Sequence, residues 1–232
     1  MIYTRIRYCD VHTFGKKSAG MAIANRRWKL VGNAYMTDGD VVLTRDAKAQ
    51  SGGIWALQPV MFPAWEVEME FHVNSNGRQL FGDGLVLWYV DDPNARGNVF
   101  GYKDYFRGMG LFLDTYNNHN GPHTHTHPYV SLMVNDGSVH YDHDRDGTHT
   151  QAAGCEFQFR HSKNTAFIKL QYNNDTLTLW KRMSDSNYAK CFSTEGVNLP
   201  TNYFFGVTAA TGDLSDEHKL ISFRLIELDS EK

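Results

Sequence analysis

The chain has 232 residues, 41% of them hydrophobic and 13% aromatic, with a formal net charge of -3. That length can bury a sizeable core and suits one large β-sandwich better than one α domain. Acidic and basic residues are interspersed, so nothing suggests a nucleic-acid backbone or an anionic membrane surface as partner, and uncharged partners are expected.

No apolar run reaches the ~18 residues needed to span a bilayer, and the opening MIYTRIRYCDVHTF lacks the apolar block of a signal peptide. Residues 1–27, basic and holding Cys9, read as a partly disordered segment. Residues 28–228 form the expected domain, and 229–232 its C-terminal end. From residue 65 onward the dominant period is two: 65–73, 85–90, 129–135, 166–172, 176–182, 203–210 and 220–228 all read as strands, as does GLFLD ending at Asp114. Asn135-Asp136-Gly137 and Asn173-Asn174 tolerate the positive φ of tight hairpins. No segment carries a long amphipathic helix. The expected class is all-β, two stacked antiparallel sheets with function on the loops, because the inner faces of the strands hold the core.

Five groups could carry chemistry. Glu66, Glu68 and Glu70 share one strand face, and two carboxylates about 5 Å apart serve a retaining glycosidase; the solvated outer face of an amphipathic strand is the favoured reading. His123, His125 and His127 alternate, a spacing with which two imidazoles can grip a zinc or copper ion, although Gly121-Pro122 and Pro128 mark a loop. Asp114, the Tyr116 carbonyl and the Asn118 side chain offer oxygens within five residues, and Asp142, Asp144 and Asp146 offer more, as a hard cation such as calcium requires. Asp83 lies between two glycines, where a carboxylate stays accessible to a polyol. Gly212-Asp213-Leu214 adds backbone donors beside another carboxylate. Cys155 and Cys191 fit either a bridge worth ~3–4 kcal/mol or two buried thiols. Asn174-Asp175-Thr176 is a glycosylation sequon.

Read in order, GDGLVLWY, GLFLDTYNN, PYVSLMVNDGS, YDHDRDG, AGC, LPTNYFFGVTAATGDLSD and H-x-x-I-S-F resemble the L-type lectin domain of the cargo receptors that cycle between endoplasmic reticulum and Golgi, in particular the vesicular integral-membrane lectin branch. The resemblance implies a legume-lectin-like, concanavalin A-like sandwich that is not an enzyme. It implies calcium-dependent binding of high-mannose N-glycans on secretory glycoproteins, for cargo sorting or quality control. It implies calcium ligands at Asp114, Tyr116, Asn118 and Asp146, and sugar contacts from Asp83, Tyr116, Asn118, His143, Gly212, Asp213 and Leu214. It also implies a Cys155–Cys191 bridge and a lumenal position in the endoplasmic reticulum, the intermediate compartment or the Golgi, in a full-length protein anchored in the membrane.

A family serine that holds an outer mannose has Ala49 nearest its place, with Ser51 close by. The three alternating histidines have no counterpart in the family. His143, with an ordinary pKa near ~6.5, is the expected acid switch. The competing readings are a sandwich hydrolase using Glu66 and Glu70, and a metal-binding sandwich that takes no glycan.

Overall fold

The computed structural model describes residues 8–13, 27–75, 81–118 and 125–229. Its strands, in chain order, are β1 (Tyr8–Thr13), β2 (Trp28–Gly32), β3 (Tyr35–Met36), β4 (Val41–Thr44), β5 (Ser51–Ala56), β6 (Trp65–Asn74), β7 (Gly84–Val90) and β8 (Arg107–Asp114). They continue with β9 (Tyr129–Asp136), β10 (Ala153–Glu156), β11 (Ala166–Asn173), β12 (Thr176–Met183), β13 (Ala189–Thr194), β14 (Phe204–Ala210) and β15 (Glu217–Glu227); one 3-10 turn spans His143–Arg145. Two sheets result. One runs β13-β12-β11-β6-β15-β4-β3 with β1 added against β15, and the other runs β10-β9-β8-β7-β14-β5-β2. All-β architecture in two antiparallel layers is therefore what the alternating sequence produces.

The alternation has a direct physical outcome. On β6 the residues Trp65, Val67, Met69, Phe71 and Val73 face inward, and Ile168 and Leu170 of β11 pack in the same core. Each such side chain contributes roughly 1.5–3 kcal/mol by leaving water. β7 behaves differently, being buried along its whole length. Its other face carries a second cluster, in which Val86, Trp88 and Val90 meet Phe100, Tyr102 and Tyr141 from loops lying over the sheet. Burial on both faces is why LVLWYV reads as a continuous apolar run.

Two turns differ from expectation. The β11–β12 hairpin turns on Asn174 and Asp175, with φ of 47° and 54°, one residue later than Asn173-Asn174. Asp tolerates the left-handed region nearly as well as Asn, so the register fixed by the buried face decides the position. After β9 the chain turns at Gly137 but forms no hairpin with residues 139–141. The Asn135 amide holds that stretch off the sheet, its Nδ2 donating to the Val139 carbonyl at 2.7 Å and its Oδ1 accepting from the Val139 N–H at 3.2 Å. The long excursion that follows carries His143 and Asp146 before β10 returns to pair with β9.

Cys155 and Cys191 form a disulfide with Cα atoms 5.7 Å apart, joining β10 to β13. Cys9 falls on β1, whose backbone registers it opposite Ile226.

Candidate functional site

Three adjacent strands of the seven-stranded sheet end together and set the frame. In register, Gly84 at the start of β7 faces Asp114 at the end of β8 and Ala210 at the end of β14. The loops leaving these ends are therefore neighbours although they lie far apart in sequence. Asp83, reached through a cis Gly82–Asp83 peptide, fastens them. Its N–H donates to the Ala210 carbonyl at 3.1 Å, and its own carbonyl accepts from the Thr115 N–H and the Thr115 hydroxyl, both at 3.0 Å. Its side chain accepts from the Gly212 N–H. A Cβ on Gly212 would come within 3.3 Å of the Asp83 carboxylate, so a larger residue there would press on that carboxylate. Burial lifts the Asp83 carboxyl to about 6, against the pull of Gly212 and with a push from Asp216.

Beside Asp83 lies an oxygen-rich group. Asp114 is buried, and its carboxylate accepts from the Tyr116 N–H at 2.9 Å. Asp146, also buried, sits in the left-handed region at the end of the 3-10 turn and accepts from the Asn118 backbone N–H through both oxygens, at 3.2 and 3.3 Å, and from Nδ2 at 3.0 Å. Burial pushes the Asp114 carboxyl well above its ordinary range, and the nearby Asp146 and Asp83 carboxylates push it further. Buried carboxylates that repel one another are relieved by a divalent cation, and the oxygen donors suit a hard one. Asp114, Asp146, the Tyr116 carbonyl and the Asn118 side-chain carbonyl fit calcium, on one condition. The Asn118 amide here turns its NH2 toward Asp146, because a carboxylate attracts a donor, and metal loading requires the carbonyl there instead.

His143 lies over Phe100, ring centroids 6.0 Å apart, with Tyr141 edge-on at 4.8 Å. Its Nε2 is buried and meets no hydrogen-bond partner among the described residues. Burial holds its pKa below the ordinary 6.5, which moves the acid switch expected of His143 to lower pH, whereas the Asp83 carboxyl is raised to about 6. Leu214 lines a cleft of about 490 Å³ with Phe81, Thr115 and Tyr116. The Asp213 side chain projects fully into solvent with Lys48 3.8 Å away. Ala49 also sits at the site, its N–H donating to the Gly212 carbonyl at 3.0 Å.

The structure thus gathers Asp83, Asp114, Tyr116, Asn118, His143, Asp146 and the 212–214 loop at one end of one sheet. It also supplies a support that sequence reasoning missed. Asp216 is fully buried and takes both oxygens to Arg160 Nε at 2.9 Å, while Arg160 also donates to Ser75 Oγ at 2.7 Å and lies 3.6 Å over the Phe81 ring. Neither the burial of Asp216 nor its partner 56 residues away can be read from the local sequence.

Elsewhere, Glu66, Glu68 and Glu70 line the outer face of the other sheet. Glu68 pairs with Arg224 at 3.2 Å and accepts from the Tyr188 hydroxyl at 2.6 Å, and Glu70 accepts from Thr165 at 2.8 Å. Glu68 and Glu70 are thus engaged as sheet-surface partners on the sheet that does not carry the loop-built site. Asp144 is exposed, and Asp142 pairs with Arg145 at 3.0 Å. His125 and His127 lie beside Asp146, whereas His123 falls outside the described residues.

A sandwich of this topology, with a carboxylate pinned by a glycine loop beside an oxygen-donor cluster, defines a lectin-like binding module. The chain belongs to the legume-like lectin family, whose model matches residues 10–232. It is 42% identical over 203 residues to the human vesicular integral-membrane protein VIP36, covering 87% of this chain and 57% of that protein. It is 37% identical over 224 residues to the human VIP36-like protein, covering 95% and 64%. The chain therefore spans less than two thirds of the length of these curated relatives. The VIP36 exoplasmic/lumenal domain in its Ca2+/Man3GlcNAc-bound form matches with a TM-score of 0.88 at 40% identity, over 95% of this chain and 90% of that one. Among the described residues no helix is long and apolar enough to cross a membrane.

Proposed function

We propose that this domain is a calcium-dependent lectin that captures high-mannose N-glycans of glycoproteins on the lumenal side of the early secretory pathway, in a membrane-anchored receptor that sorts cargo between endoplasmic reticulum and Golgi. The observation that carries this reading is the Asp83 carboxylate, held by the Gly212 N–H next to the oxygens of Asp114, Asn118 and Asp146. Support also comes from VIP36, whose lumenal domain takes Ca2+ and Man3GlcNAc together.

Asp114, the Tyr116 carbonyl, the Asn118 side-chain carbonyl and Asp146 would hold the ion, which supplies positive charge that fixes the amide of Asn118 in one sense. With that carbonyl engaged, the Asn118 NH2 donates outward to a mannose oxygen while Asp83 accepts from a neighbouring hydroxyl. The Tyr116 ring packs on an apolar sugar face, the His143 Nε2 receives a further polar contact, and the 212–214 backbone closes the rim. Each exchange of water for protein nets only ~0.5–1.5 kcal/mol, so a single mannose is held at millimolar Kd. Capture of a glycoprotein then depends on several mannoses or several receptors acting together.

A glycan array probed with calcium and again with chelator tests the reading. High-mannose glycans should retain the chain only with calcium; retention indifferent to chelator, or cleavage of β-glucans in place of retention, would overturn it.

A further inference from the structure

Two imidazoles converge on the Asp146 carboxylate from the side of the 125–127 loop. One nitrogen each of His125 and His127 and one oxygen of Asp146 lie within 4.8 Å of one another. His127 Nε2 stands 3.6 Å from Asp146 Oδ2, with side chains only 4% and 1% exposed. That distance is beyond a good N–H···O hydrogen bond. It is close to the ~3.3 Å that separates two ligands on one tetrahedral zinc with bonds near 2.0–2.1 Å. The rings are also held. His125 stacks on Tyr129 at the start of β9, centroids 3.7 Å apart and planes 26° apart, and its centroid lies 4.8 Å from that of His127. Two imidazoles and a carboxylate form the donor set of a borderline cation such as Zn2+, which prefers nitrogen where calcium takes oxygen.

We propose that His125, His127 and Asp146 bind a zinc-class divalent ion, with water completing the fourth position, and that this ion antagonises calcium. The first half rests on the three side chains alone, and the second on the calcium reading given above. Asp146 Oδ1 accepts from the Asn118 side-chain amide at 3.0 Å, and Oδ2, which also accepts from the Asn118 N–H at 3.3 Å, faces His127. One carboxylate would thus stand between the two ions, and two dications across a single carboxylate repel. Each therefore weakens the other by the same factor. The loop that the histidines occupy becomes a sensor through which a second metal releases glycan.

Calorimetric titration of the metal-free chain with ZnCl2 tests the site, using wild type, His125→Ala and His127→Gln, with thermal melts to confirm folding. Zinc should bind one to one, and each substitution should weaken it by about tenfold or more. One equivalent of zinc should raise the apparent calcium Kd of wild type at least tenfold and leave that of His127→Gln unchanged. Because His127 is buried, the half-buried His125 provides the variant that folds if the other does not. Zinc isotherms indifferent to both substitutions overturn the site, and a calcium isotherm unmoved by zinc overturns the antagonism. A calcium isotherm recorded without zinc separates the two readings: failure of calcium to bind there removes the calcium site and leaves the zinc isotherm to judge the histidines.

Discussion

Asp83→Asn is expected to abolish retention of the chain on a mannose resin while leaving its fold intact. The substitution keeps the shape of the side chain, and the amide oxygen still accepts from Gly212, but the charge that strengthens bonds from sugar hydroxyls is gone. Hydrogen bonds to a charged group are worth about 1.5–3 kcal/mol, so each one lost weakens binding roughly 10- to 100-fold from a millimolar start. Acid should act through the same atom: with its carboxyl raised to about 6, mainly by burial, glycan binding should fall as pH drops from 7 to 5. The stability effect has the opposite sign. A folded pKa raised above the unfolded value favours the fold at low pH, and that contribution disappears as pH rises through about 6. Melts of the calcium-free variant at pH 7.5 should therefore match or exceed wild type. Retention by Asp83→Asn equal to wild type would remove this carboxylate from the sugar site.

Arg160→Leu should produce the largest loss of stability, about 3–5 kcal/mol, because it leaves the fully buried Asp216 carboxylate without its cation. For a domain of this size that corresponds to a fall in Tm of roughly 10 °C. Burial already raises the Asp216 carboxyl, and Arg160 is the main group that pulls it back. The double variant Arg160→Met, Asp216→Leu should recover most of the loss, since a pair replaced by apolar groups strands no charge. Glycan affinity should fall in the single variant as well, because Arg160 lies on Phe81, two residues before Asp83. Differential scanning calorimetry of the three proteins decides the matter; a single variant that melts with wild type would show the ion pair to be dispensable.

The strands legible in the sequence are those with one dry and one wet face, such as β6 and β11, where alternation follows directly from burial. Strands β4 and β5 were missed for different reasons. β4 is four residues long and buried throughout, so it has no alternation to detect. β5 opens on Ser51-Gly52-Gly53, which reads as a turn, but a Cβ on Gly52 would lie 2.1 Å from the Leu43 carbonyl, and the glycine is there to let two strands approach. Within the site, Asp83 and the run from Asp114 to Asn118 could be read because their spacing is local. The Arg160–Asp216 pair, the proximity of His125 and His127 to Asp146, and the direction of the Asn118 amide depend on how distant loops meet. No local pattern encodes them.

The Cys155–Cys191 bridge joins the outermost strand of one sheet to the outermost strand of the other. On the opposite flank, β2 and β3 are likewise terminal strands of the two layers, linked by only the two residues Asn33 and Ala34. Both flanks of the sandwich are thus tied by covalent chain, one through sulfur and one through backbone. Reduction of the disulfide can release only the first tie, where Cys155 registers opposite Val130, the neighbour of Tyr129 beside the oxygen-rich loops.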